Sequence, residues 1–145
     1  MKTMFVRSIV TSVGMAALLA MAPSAFAATE TYVAELKAST EVPPNDSAGA
    51  GTLTATYDTV TKKLSYAASY TGLTGPATAA HFHGPAAAGT NAGVAVPVKD
   101  VASPIKAEAT LTDAQAADLQ AGKWYFNVHT EKNKGGEIRG QLVKK

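Results

Sequence analysis

Short runs in which apolar and polar residues alternate recur along this chain, several of them ended by glycine, proline or an Asn-Asp pair. A period of two sends successive side chains to opposite sides of an extended backbone, so such runs fold as strands with one face in a core. From Thr31 to Ser39, Tyr32, Ala34, Leu36 and Ala38 share a face opposite Val33, Glu35 and Lys37. Gly51 to Asp58 sets Leu53, Ala55 and Tyr57 against Thr52, Thr54 and Thr56, and Leu64 to Tyr70 places Leu64, Tyr66, Ala68 and Tyr70 on one side. The turn residues Thr59 to Lys63 between these two runs predict a hairpin.

The pattern continues through Thr78 to His83, Val94 to Val98 and Ile105 to Leu111. Pro97 cannot donate to a ladder, which places the Val94 to Val98 strand on a sheet edge. Lys123 to Thr130 puts Trp124, Phe126 and Val128 on a core face and Tyr125, Asn127 and His129 on the other; Glu137 to Val143 returns as its hairpin partner. Glu41 to Asp46 is a proline-broken loop, and the Ala- and Gly-containing piece from Pro85 to Gly93 reads as a flexible one. The one convincing helix signal is Thr112 followed by Gln115, a capping box, with a stop at Gly122. Some eight short strands and one short helix near 113–121 predict an all-β, antiparallel Greek-key or immunoglobulin-like sandwich or barrel.

Residues 1–27 read as a secretory signal peptide: Lys2 and Arg7, an apolar run from Ile9 to Met21, then Ala25-Phe26-Ala27 before a cleavage point. The expected mature chain, residues 28–145, is a single domain, exported to the periplasm or beyond the cell, with no membrane span once the leader is removed. Two of the thirteen basic residues and none of the eleven acidic ones lie in that leader, so the remainder is balanced. Without a positive field the electrostatic case for a nucleic-acid partner disappears. The absence of cysteine excludes disulfides, thiol nucleophiles and thiolate ligands.

The chemistry then falls to three histidines. His81 and His83 are two apart on a predicted strand, so their imidazoles share a face, while Phe82 points the other way. His129 lies on the face opposite Trp124 in another strand. Three neutral imidazoles suit copper or zinc, copper first, with a position left for water or substrate. From the residues alone a structural role is the more ordinary outcome, with His81 and His83 hydrogen-bonding loop carbonyls and His129 lining a polar seam. A metal site needs outer partners as well, and Glu41, Asn127 and Glu137 are the available candidates. Glu41 and Arg139 are expected to pair and fasten the proline loop to the terminal hairpin. Tyr66, Tyr70, Trp124 and Tyr125 could form a carbohydrate platform, but core packing explains their alternation.

The ordered blocks Glu41-Val42-Pro43-Pro44, Ala80-His81-Phe82-His83-Gly84-Pro85, Gly122-Lys123-Trp124-Tyr125-Phe126-Asn127-Val128-His129-Thr130 and Gly135-Gly136-Glu137-Ile138-Arg139-Gly140-Gln141-Leu142 resemble the CHRD domain. That domain was first recognised in chordin and occurs in exported microbial proteins. The resemblance implies a β-rich immunoglobulin-like or Greek-key module and carries over His81, His83, His129, Glu137 and Arg139 as motif positions. It implies no defined activity, since shared fold does not fix function. The His-x-His element is also similar to that of copper-zinc superoxide dismutases, but three histidines and no cysteine cannot rebuild a bimetallic centre with its disulfide. The expectation is an exported domain holding one copper or zinc ion; a metal-free structural or adhesive module is the alternative, and a mononuclear copper enzyme the third reading. No protein partner is identifiable.

Overall fold

Each alternating run becomes a strand whose apolar side meets one interior. The computed structural model describes residues 28–145; the expected leader lies outside the described residues. The strands are β1 (Thr29–Lys37), β2 (Ala50–Asp58), β3 (Lys63–Thr71), β4 (Ala77–His83), β5 (Val94–Pro97), β6 (Ile105–Thr110), β7 (Tyr125–Thr130), β8 (Ile138–Gln141) and β9 (Val143–Lys144). Helix α1 (Asp113–Gln120) separates β6 from β7. All pairings are antiparallel, and the order across the sheet is β5-β4-β7-β8-β1-β2-β3-β6, with β9 also against β1.

The sheet curls over on itself. Strands β3 and β4 stand far apart in that order, yet Tyr66 of β3 meets Phe82 of β4 edge-on, ring centres 4.8 Å apart. Phe126 and Trp124 pack on the same Phe82 ring. Burial follows the predicted faces: Tyr32, Leu36, Leu53, Leu64, Phe82, Trp124, Phe126 and Ile138 are all in the core. The result is the expected antiparallel sandwich, closed almost into a barrel. Tyr66, Trp124 and Tyr125 are buried, so the aromatic residues are packing material and form no exposed platform.

A sheet that does not close has two edges to protect, here β5 and β6. Pro97 ends β5 at the edge where its missing N–H costs nothing. Helix α1 follows β6 directly and guards the same region: Leu119 and Ala116 insert into the core, and Gln115 Nε2 donates to Ala95 O of β5 at 2.9 Å. The capping box is formed in both directions, with Gln115 N–H to Thr112 Oγ1 at 3.2 Å and Thr112 N–H to Gln115 Oε1 at 2.9 Å. At Gly122 a φ of +71° turns the chain out of the helix. Beyond β8, Leu142 inserts into the core while β9 continues along β1, pairing Tyr32 with Lys144 and Val33 with Val143.

Strand β7 departs from the expected pattern, because every one of its residues is buried. Its polar face is not open to water; the segments on either side of β4 and β8 fold over it. The piece from Pro85 to Gly93 is held at many points, including Ala86 N–H to Lys123 O at 2.8 Å, Gly84 N–H to Gly93 O at 3.2 Å and Asn91 Nδ2 to Val42 O at 2.9 Å. Composition alone suggested flexibility, but these bonds tie the loop across the sheet. Among the described residues no helix is long and apolar enough to cross a membrane.

Candidate metal centre

The outer face of β4, β7 and β8 carries a grid of polar side chains fixed by strand register. His83 stands opposite Tyr125, which stands opposite Gln141; one step along, His81 faces Asn127 and Asn127 faces Arg139; one further, Ala79 faces His129. From Ala79 onward in β4, and through β7 and β8, the odd-numbered residues therefore share this face and the even-numbered ones turn inward; the register irregularity between Ala77 and Ala79 places Ala77 against the core instead. His129 reaches His81 diagonally, within the range of cross-strand neighbours.

The structure brings all three histidines together, with their ligating nitrogens within 4.8 Å of one another. His81 Nδ1 lies 3.1 Å from His129 Nε2. The ring centres of His81 are 5.4 Å from those of His83 and 4.9 Å from those of His129. A metal with bonds of about 2.0–2.1 Å needs ligands about 3.3 Å apart, so the rings would close up by roughly 1.5 Å at most. His83 and His129 are buried and His81 is only partly so, which leaves His81 as the side facing water.

Two backbone carbonyls set the ring orientations. His83 Nδ1 lies 2.9 Å from Ala92 O, and His129 Nδ1 lies 2.9 Å from Lys134 O. A carbonyl only accepts, so each Nδ1 carries the hydrogen and each Nε2 keeps its lone pair, the form that binds metal. Burial, followed by the neighbouring charges of His129 and His83, pushes His81 below the usual histidine range. His129 is also lowered: burial outweighs its bond to Lys134 O, and the charge of His83 adds to the effect. Both shifts favour the neutral imidazole.

Tyr125 is the participant that sequence reasoning undervalued. Its ring stacks on His83, planes 4° apart and centres 4.8 Å apart, and Arg139 Cζ lies 3.4 Å from the Tyr125 ring centre. The signal was present in the alternation, since Tyr125 shares the face of Asn127 and His129. Arg139 does not form the expected ion pair with Glu41. Its fork reaches the loop instead, Nη1 to Asn91 Oδ1 at 2.8 Å and Nη2 to Thr90 O at 2.6 Å. The correction has a simple cause: the Pro85 to Gly93 loop covers the sheet face and offers acceptors where Arg139 already stacks.

The outer-partner candidates separate. Asn127 is at the centre, its Oδ1 3.0 Å from His83 Nε2 and 2.9 Å from His129 Nε2. Glu41 is buried, and its Oε1 has no hydrogen-bond partner. Burial pushes its carboxyl up to about 7, against the opposing influence of the Arg139 charge, the Asn127 amide and the Val42 N–H. It packs against Gly136, where a Cβ would collide with both Glu41 Oε1 and Asn127 Nδ2; φ at Gly136 is +129°. Glu137 lies in a separate cage: it accepts from Ser47 Oγ at 2.5 Å, Thr74 N–H at 2.7 Å, Thr74 Oγ1 at 2.7 Å, Thr130 Oγ1 at 2.5 Å and Asn133 Nδ2 at 3.1 Å. Burial raises this carboxyl, but the bonds from Ser47, Thr130 and Thr74 overcome it and hold the group at about 2. None of these bonds reaches a histidine, so Glu137 is a latch between turns.

The sequence model of the CHRD domain matches residues 32–142, spanning the sheet from β1 to the end of β8. Neither the curated proteins nor the solved structures compared with the chain give a match. The match takes in the His81–His83 strand, the His129 strand and the Glu137 latch, and this chain belongs to the CHRD domain family.

Proposed function

We propose that this protein is an exported metal-binding domain that holds one copper or zinc ion, copper first, through His81, His83 and His129. The observation that carries the reading is the convergence of three imidazoles, their ligating nitrogens within 4.8 Å of one another, two of them with Nδ1 bonded to a carbonyl so that Nε2 carries the lone pair. Imidazole donors suit both ions, and the sheet supplies a rigid base for them. The leader-like residues 1–27 support placing that metal binding or handling in the periplasm or outside the cell.

A metal-free module is favoured by a different observation, the bonds from His83 and His129 to loop carbonyls. Calorimetric titration of metal-stripped protein with Cu(II), then with Zn(II), separates the two. The metal reading expects one saturable site, weakened as pH falls through the histidine range because protons compete for the ring nitrogens. His81→Ala and His129→Ala should each weaken it at least a hundredfold. Unchanged affinity in both variants would sink the ligand set, and loss of stability in those variants with no metal effect would establish the structural reading.

A further inference from the structure

We propose that Asn127 is itself a ligand, its Oδ1 completing a four-coordinate site with His81 Nδ1, His83 Nε2 and His129 Nε2. The inference rests on the metal reading above and goes beyond it in naming the fourth donor and the class of ion.

Proton bookkeeping makes the case. Ala92 O and Lys134 O require N–H at Nδ1 of His83 and His129, so each neutral ring presents a lone pair at Nε2. Both lone pairs face Asn127 Oδ1, at 3.0 and 2.9 Å, and that atom is also an acceptor. His81 Nδ1 can donate to His129 Nε2 at 3.1 Å, but with Nδ1 of His83 bonded to Ala92 O no hydrogen lies between His83 Nε2 and Asn127 Oδ1, two acceptors in contact. Rotating the amide would turn Oδ1 toward the Glu41 carboxyl, which lies with Asn127 Nδ2 over Gly136. Glu41 thus acts as a positioning residue that keeps the oxygen on the histidine side.

A cation at the centre removes the conflict, since it accepts from all of these lone pairs together. Four ligands around bonds of about 2.0–2.1 Å sit about 3.3 Å apart in a tetrahedron. The contacts His81 Nδ1 to His129 Nε2, His83 Nε2 to Asn127 Oδ1 and His129 Nε2 to Asn127 Oδ1, at 3.1, 3.0 and 2.9 Å, are already close to that spacing. Three nitrogens and a hard amide oxygen suit a borderline divalent ion, Cu(II) or Zn(II), over Cu(I). Four protein ligands also describe a site that holds its metal and leaves no vacant position for substrate.

Co(II) is a probe that reports the ligand count through its visible spectrum. Metal-stripped full-length mature protein loaded with Co(II) is expected to give an intense four-coordinate spectrum that added azide does not change. Asn127→Ala should bind Co(II) at least tenfold more weakly and take azide into the vacated position, with a clear spectral shift. Asn127→Asp, which keeps an oxygen in place, should remain insensitive to azide and serves if the alanine variant does not fold. An azide-sensitive wild type, an unchanged spectrum in Asn127→Ala, or azide sensitivity in Asn127→Asp would overturn the fourth ligand. Wild type that binds no Co(II), Cu(II) or Zn(II) at all would overturn the centre itself, a different result from a three-histidine site that binds metal and azide together.

Discussion

Glu41 and Glu137 are both buried carboxyls, yet the surroundings move them in opposite directions. Glu137 has five donors aimed at it, and its folded value of about 2 lies below the ordinary 4.5. A lowered carboxylate binds fewer protons when folded, so its contribution is present above about pH 4.5 and is lost as pH falls toward 2. The shift corresponds to about 3 kcal/mol. Glu137→Gln should therefore lower the stability measured by urea unfolding at pH 7 by roughly that amount, with the gap to wild type narrowing near pH 2.5. An equal gap at both pH values would show that the ionised form is not what the cage holds. Glu41, raised to about 7, has the opposite sign: its ionisation opposes folding as pH rises from 4.5 toward 7. Neither fate was legible in the sequence. Ser47 and Thr74 come from two distant loops, while Thr130 and Asn133 come from the β7–β8 connection that carries Glu137, and only the folded chain points their donors at one carboxyl.

The elements were far more legible than the contacts between them. Alternation located the strands because one face of each enters the core, and the capping box located α1 because Thr112 and Gln115 satisfy each other's backbone groups. The side shared by His81 and His83 followed from spacing alone. That His129 would stand diagonal to His81 depended on the register of β4 against β7, which local pattern does not encode. The same pattern misjudged β7, since polarity marked a face as wet that loops later cover. Helix α1 shows how an element acts beyond itself through the Gln115 to Ala95 bond. Gln115→Ala is expected to cost about 1 kcal/mol in urea unfolding, from the lost cap. It should also speed amide exchange in β5 more than in β2. Equal acceleration in the two strands would mean that the helix does not guard this edge.

For the molecule as a whole, a ligand that binds only the folded state stabilises it by mass action. Copper or zinc at a hundredfold excess over its Kd should add about 2.7 kcal/mol, a rise in Tm of roughly 10 °C for a domain of this size. His81 is only partly buried and lies outside the core, so His81→Ala should fold with a Tm near that of metal-free wild type but show no rise on adding metal. A rise of equal size in that variant would place the ion elsewhere. The family blocks made the global fold readable because they quote strands and turns in order. Strand β9 adds a last consequence. It lies along β1, and Lys145 N–H bonds to Thr31 O at 2.9 Å, so the chain's last residue sits three residues along β1 from Ala28. In a chain that starts at the expected cleavage point before Ala28, a short peptide from Lys145 to Ala28, with new ends cut at the Thr59 to Lys62 turn, is expected to give a circular permutant with every strand neighbour preserved. The order in which the strands are threaded is thus separable from the grid of side chains that they hold.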